Sequence, residues 1–297
     1  MSDTRTQFRI PGATGSSSRQ PHASAAPSAP APAAPSTPWA GAETVGFRIL
    51  GPLEAVGAGT THRPRGPKVR KLLALLAVRA HDIVEVDTLI DELWDGDPPS
   101  TAVSTVRTHI YHLRQELERE LGAGAVRDVI TTEATGYSLR TAPGRLDLEN
   151  FTRMYGQGRA ELRAGRHEAA LEVLDAALGL WRGRTLADVA QGRVLAGHAA
   201  RIEELRVRAQ ELRIEAAMGL GRHRELVPEL RRLVAVDPLN EWLHARLIDA
   251  LHRSGRRGDA LRAFHDVRAV LAEELGLEPS EDLRQLQHHI LAGGSAA

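Results

Sequence analysis

The chain of 297 residues contains no cysteine, which excludes disulfides, thiolate metal sites and cysteine nucleophiles and sets a reducing cytoplasm as the expected location. Lysine is almost missing as well. Only Lys68 and Lys71 occur among 38 cations and the rest are arginine, a bias that GC-rich coding alone produces. Aromatic residues make up 4% of the chain. No run of about 18 apolar residues exists, so no segment is expected to span a membrane. The N-terminus lacks the charged-then-apolar pattern of a secretory signal. A formal net charge of zero excludes a uniformly basic coat for nucleic acid. What remains is a chain with 42% hydrophobic residues, enough for a substantial core in one large domain or two ordinary ones.

Residues 1–44 are rich in Ala, Pro, Ser and Gly and show no apolar periodicity, so they read as a disordered tail. Order is expected from Val45, with a strand over Val45–Val56 that contains the turn residues Gly51 and Pro52. Pro67 suits a first helical turn, and Val69, Leu72, Leu73 and Leu76 make one stripe behind it. A second helix is expected after a cap at Asp87, with Leu89, Ile90, Leu93 and Trp94 inward. The loop "DGDPPS" separates it from a third helix, and Asp128–Thr141 reads as two short strands around a turn. These pieces make one domain over residues 45–142.

From Leu146 to residue 293 the pattern is helical throughout. Gly221 and Gly255 are turn glycines 34 residues apart, the tetratricopeptide period, and Ala260, Phe264, Leu247 and Leu251 fall at matching offsets. Gly165 starts a further copy, but 22 extra residues interrupt the array before Gly221. The expected fold class is therefore mainly α: a small α+β domain followed by an all-α, tetratricopeptide-like one.

The third helix carries the strongest functional signal. At 100° per residue, Val106, Ile110, Leu113 and Leu117 form a narrow apolar stripe. The opposite face holds Thr101, Ser104, Thr108, His112 and Gln115, with Arg107, Arg114 and Tyr111 on one flank and His109 and Thr105 on the other. No acid occurs between Thr101 and Gln115. Short hydrogen-bonding groups can approach base edges in a major groove, while arginines on the shoulder meet phosphate. A solvated polar face would explain this helix alone equally well. Its surroundings favour DNA. Arg63, Arg65, Lys68, Arg70, Lys71 and Arg79 precede it without an acid among them, whereas Asp82–Asp97 holds seven acids and no cation.

The segments "FRILGPLEAV", "GPKVRKLLALLAVRA", "VDTLIDELW", "TAVSTVRTHIYHLRQEL" and "TTEATGYSLR" together resemble the winged helix-turn-helix of OmpR-type response regulators. With "DLENFTRMYGQGRAELRAGRHEAALEVLDAALGLWRG" and "LEELGLEPSEDLRQLQHHIL" following, residues 45–292 resemble the Streptomyces antibiotic regulatory protein family. That family joins a winged helix to a bacterial transcriptional activation domain. The resemblance implies an activator of biosynthetic genes for secondary metabolites that binds direct repeats and recruits RNA polymerase. The implied partners are double-stranded DNA, the polymerase holoenzyme through its sigma factor or alpha subunit, and a second copy of the chain on DNA. It implies base reading by Thr108, Tyr111, His112 and Gln115, and phosphate contact by Thr105, Arg107, His109, Arg114, Lys68 and Arg70. Thr131, Thr132, Glu133 and Thr135 fall in the wing, and Asp95 and Asp97 in the loop that can face polymerase. Glu133 departs from the pattern, because OmpR-type wings usually carry an arginine there.

No nucleophile, base and orienting group occur as a set, so the chain does not read as an enzyme, and no cofactor is implied. The pairs His109/His112 and His288/His289 lack a third ligand, so no metal is expected. Two other readings stand beside the activator: a helical-repeat scaffold whose first domain docks protein, and a regulator gated by a small molecule in the helical domain.

Overall fold

A computed structural model describes residues 44–57, 59–122, 126 and 128–293. Apart from Thr44, the tail expected over residues 1–44 lies outside them. The segment read as one strand is two. β1 (Gly46–Arg48) and β2 (Glu54–Gly57) pair antiparallel, and β3 (Thr60–His62), which sequence reading did not find, pairs with β2. Gly51 turns the chain between the first two at φ +147°, a conformation that a side chain resists.

Helix α1 (Pro67–Val78) starts with proline in its first turn, where no intrahelical N–H is needed. It is apolar nearly all round, and Leu72, Leu73, Leu75 and Leu76 are fully buried. Strand β4 (Val84–Glu85) leads directly into α2 (Val86–Trp94). Asp87 is not its cap: the helix begins one residue earlier behind Glu85, which is extended, and Asp87 sits in the first turn, where an acid suits the helix dipole. Helix α3 (Ala102–Leu121) crosses both, and β5 (Ile130–Thr132) and β6 (Gly136–Leu139) close the half as a hairpin in the sheet order β4-β6-β5. Gly136 is obligatory there. A Cβ would lie 2.0 Å from the carbonyl oxygen of Val84.

The second half is built from helical hairpins: α4 (Asp147–Arg163) with α5 (His167–Leu178), α6 (Arg193–Gly219) with α7 (His223–Val236), and α8 (Glu241–Arg253) with α9 (Arg257–Leu275), then α10 (Glu281–Leu291). Gly165, Gly221 and Gly255 make the three hairpin turns at φ +73°, +75° and +77°. Ala260 and Phe264 are buried at the tetratricopeptide-like offsets, in a core that runs from Ala170 to Ile290.

Much of the interrupted repeat is segment 179–192 between α5 and α6, and it is what joins the two halves. Its amides continue the β1–β2 turn as an edge: Arg182 N–H donates to Leu50 O (2.8 Å), Leu186 N–H to Ile49 O (3.0 Å) and Ala187 N–H to Gly51 O (3.2 Å). Leu186 holds φ +51° without being glycine, a strain of about 1 kcal/mol. It is fully buried in the core of the winged half with Val189 and Leu195, and that burial contributes about 2–3 kcal/mol against the strain.

Three carboxylates complete the junction. Asp188 accepts from Leu53 N–H (2.8 Å) and pairs with Arg70. Glu92, fully buried on α2, accepts from Gly192 N–H and from Leu195 N–H (2.5 and 2.9 Å), so it caps the N-terminus of α6 from across the junction. Gly192 permits this approach, since a Cβ would stand 2.6 Å from Glu92 O.

Asp147 is the third. It accepts from Ile49 N–H and Leu50 N–H (2.9 and 3.0 Å) with Arg182 at 3.7 Å. Burial still outweighs these partners and pushes its carboxyl up to about 6. A raised carboxyl pKa means that the fold takes up a proton between the unfolded value and about 6. The stability contributed by the protonated form is therefore complete at the acid end and is lost as pH rises through about 6. Asp147→Asn should flatten this part of a pH profile of thermal melting relative to the parent chain. A parallel profile would refute the assignment.

Candidate nucleic-acid interface

The apolar stripe of α3 packs as its periodicity predicts, with Val106, Ile110, Leu113 and Leu117 essentially fully buried against the core of the winged half. Ser104, Arg107, Thr108, Tyr111, His112 and Gln115 are then left exposed along one face. Among the described residues, Arg107, Tyr111, His112 and Gln115 have no protein hydrogen-bond or ion-pair partner; Tyr111 and His112 lie side by side with ring centroids 5.8 Å apart. The hydroxyls differ. Thr108 Oγ1 donates to Ser104 O (3.0 Å) and Thr105 Oγ1 to Thr101 O (2.9 Å). Thr108 thus presents an acceptor and a methyl outward, which suits a base amino group or a thymine methyl. Thr105 is half-buried and must release its own bond before it can donate to phosphate.

Lys68 and His109 flank the start of this face. Lys68 Nζ lies 4.5 Å from the Trp94 ring centroid. Burial, then the charges of Lys68 and His112, hold His109 below the ordinary imidazole range. A phosphate brought to His109 would oppose that shift.

The other two expected phosphate cations are engaged elsewhere. Arg114 donates from Nε and Nη2 to Ile130 O (3.1 and 2.8 Å) and from Nη2 to Thr132 Oγ1 (3.0 Å), over the Tyr137 ring. It ties α3 to β5 rather than standing free on the shoulder. Arg70 is turned to Asp188 at the junction.

In the wing, Glu133 N–H donates to Gly136 O (2.9 Å) to close the turn, leaving Ala134 and Thr135 exposed at the tip. The Glu133 carboxylate accepts from Thr131 Oγ1 (2.9 Å) and from Arg140 Nη2 (3.1 Å). It is half-buried, neutralised and directed down the hairpin. Glu133→Gln should therefore free Arg140 and tighten DNA binding several-fold with a steeper salt dependence. Unchanged affinity and slope would place this hairpin away from the backbone. Asp95, left-handed at φ +51°, and Asp97 are exposed after α2, with no ion pair among the described residues.

Residues 63–139 match the family described as "Transcriptional regulatory protein, C terminal", and residues 146–291 match "Bacterial transcriptional activator domain". The regulatory protein DnrI of Streptomyces peucetius is 42% identical over 248 residues, 82% of this chain and 91% of that protein. The chain belongs to the Streptomyces antibiotic regulatory protein family. Within this family the transcriptional regulator RedD of Streptomyces coelicolor is 35% identical over 84% of the chain and 71% of its own length. The regulatory protein AfsR of Streptomyces griseus is 36% identical over 84% of the chain, which spans 25% of that protein. Among solved structures, Mycobacterium tuberculosis EmbR, in complex with a low affinity phosphopeptide, superposes with a TM-score of 0.79 at 33% identity, covering 85% of this chain and 66% of that one. The chain is thus a transcriptional regulator with an OmpR-type winged helix and a helical activation domain.

Sequence reading missed Glu92, Asp147, Arg182 and Asp188, which hold the family's two halves together here. The sequence carried no signal for Glu92, which lies outside the apolar arc of Leu89, Ile90, Leu93 and Trp94 on α2.

Proposed function

We propose that the chain is a sequence-specific DNA-binding activator of a secondary-metabolite gene cluster, acting on direct repeats upstream of its promoters. The observation that carries this reading is the exposed, acid-free face of α3, with four long polar side chains that have no hydrogen-bond or ion-pair partner among the described residues. Thr108, Tyr111, His112 and Gln115 read bases. Arg107 and Lys68 hold phosphate, with His109 and Thr105 beside them. Arg114 is a positioning residue that sets the angle of the wing, where Thr131, Thr132 and Thr135 approach the adjacent groove. Residues 45–142 form the DNA-binding part and 146–293 the activation part. Asp95 and Asp97, exposed next to α3, present acid to a basic surface of RNA polymerase holoenzyme, the sigma factor or the alpha subunit. Two copies lie head to tail on repeats spaced by whole turns of about 10–11 base pairs. Footprinting of the full chain across its neighbouring promoters tests this. Protection repeating on one strand at that interval supports it, and no protected region on any of them would sink it.

A further inference from the structure

Most arginines around the junction are engaged: Arg70 with Asp188, and Arg182 with Glu54 and Asp147. Where the end of α1 meets α4 and α6 the situation reverses. Two adjoining clefts, of about 440 and 230 Å³, share Val78, Leu148 and Thr152 in their walls. The smaller continues over Ile202 and Leu205 of α6. Val78 belongs to the winged half and the others to the helical half, so the floor is apolar and spans both.

The rim is cationic. Arg153 borders the larger cleft, and Arg201 and His198 the smaller. Arg79, the residue that ends α1, stands close enough to act on His198. Among the described residues, none of the guanidinium groups of Arg79, Arg153 and Arg201 enters an ion pair. Of the nearby acids, Glu149 lies on the wall of the larger cleft, bonded to His81 (2.8 Å), and Glu92 is buried in its capping role. Burial, then the charges of Arg79 and Arg201, hold His198 below the ordinary imidazole range even though Glu92 pulls the other way. Cations outnumber acids at this rim, three arginines against Glu149 on the wall of the larger cleft and the buried Glu92.

We propose that the junction cleft binds a small amphipathic anion, a carboxylate or sulfonate on an apolar body. The body lies over Val78, Leu148 and Leu205, and the anionic head meets Arg201 and Arg79. Three solvated arginines at a helix surface would account for the charge but not for an apolar cleft beneath it. A bare phosphate would leave that floor wet. The joint volume falls in the usual range for small-molecule sites, which favour domain junctions. A ligand that touches both halves binds only while they are docked, and so stabilises that arrangement by mass action. This gives the regulator a chemical input apart from its DNA face.

The test is titration of the full chain with anilinonaphthalene sulfonate, followed by fluorescence. One saturable site is expected, displaced by laurate but not by an equal concentration of sulfate. Arg201→Glu should weaken the probe by about tenfold or more, the worth of a charge-assisted hydrogen bond, with melting and affinity for promoter DNA unchanged. Thr152→Trp, exposed and shared by both clefts, should block the probe without altering charge. Non-saturable binding, indifference to both substitutions, or displacement by sulfate as effective as by laurate would overturn the proposal. So would a loss of DNA affinity with a flatter salt slope in Arg201→Glu, because the cation would then serve phosphate.

Discussion

Glu92→Ala is expected to cost about 3 kcal/mol of stability, because it strips the acceptor from two amides at once, one buried and one part-buried, each worth about 1–3 kcal/mol when left unsatisfied. Those amides, Gly192 N–H and Leu195 N–H, open the longest helix among the described residues, and the carboxylate also faces the positive end of its dipole. Lys71, whose Nζ lies 4.0 Å from the same carboxylate, would lose its counter-charge. For a chain of this size the cost corresponds to a fall of about 6–12 °C in the melting temperature. Glu92→Gln keeps one carbonyl acceptor and should recover part of it. If Glu92→Ala melts with the parent chain, the cap across the junction is not an energetic link between the halves.

The second large effect concerns sequence reading. His112→Ala should change which base is preferred at one position of each repeat, with a loss of about 1–3 kcal/mol at that base and little at the others. His112 is exposed on α3 and, among the described residues, has no hydrogen-bond or ion-pair partner, so its removal leaves the fold intact. Arg107→Ala, on the shoulder of the same face, should weaken all sequences alike and reduce the salt slope by about one unit. Affinity measured for each base at each position separates the two. A uniform loss in His112→Ala would move it to the phosphates. Because burial and neighbouring cations hold His109 below the ordinary imidazole range in the free protein, a phosphate brought to it should raise its proton affinity, so DNA binding should take up a proton and strengthen as pH falls through the imidazole range.

The apolar side of α3 was legible in advance because a helix repeats every 3.6 residues wherever it lies, and Val106, Ile110, Leu113 and Leu117 are buried as that period requires. The three hairpin turns were legible for a similar local reason, the left-handed backbone that only glycine adopts freely. What the sequence could not separate was Arg107 from Arg114. They lie seven residues, two helical turns, apart on one flank, and only the passage of β5 beside the second decides which is free. The same limit hid Glu92 and Asp188, whose partners are backbone amides far away in the chain. Glu133 stood out only as a departure from the arginine of OmpR-type wings; its partner Arg140, just across the hairpin, shows where its carboxylate goes. The 22 extra residues that interrupt the repeat showed in the sequence only as a break in its period. Much of that insertion is the segment that docks the two halves.

Binding of promoter DNA by the exposed face of α3 is the step on which the proposed function depends. Its most direct measurement is fluorescence anisotropy of a labelled fragment from a neighbouring promoter, titrated with the full chain over a series of salt concentrations. Log affinity should fall linearly with log salt, by about 0.9 for each phosphate engaged, and the slope should flatten when Arg107 is replaced. Absence of binding at low salt, or an affinity indifferent to salt, would contradict it.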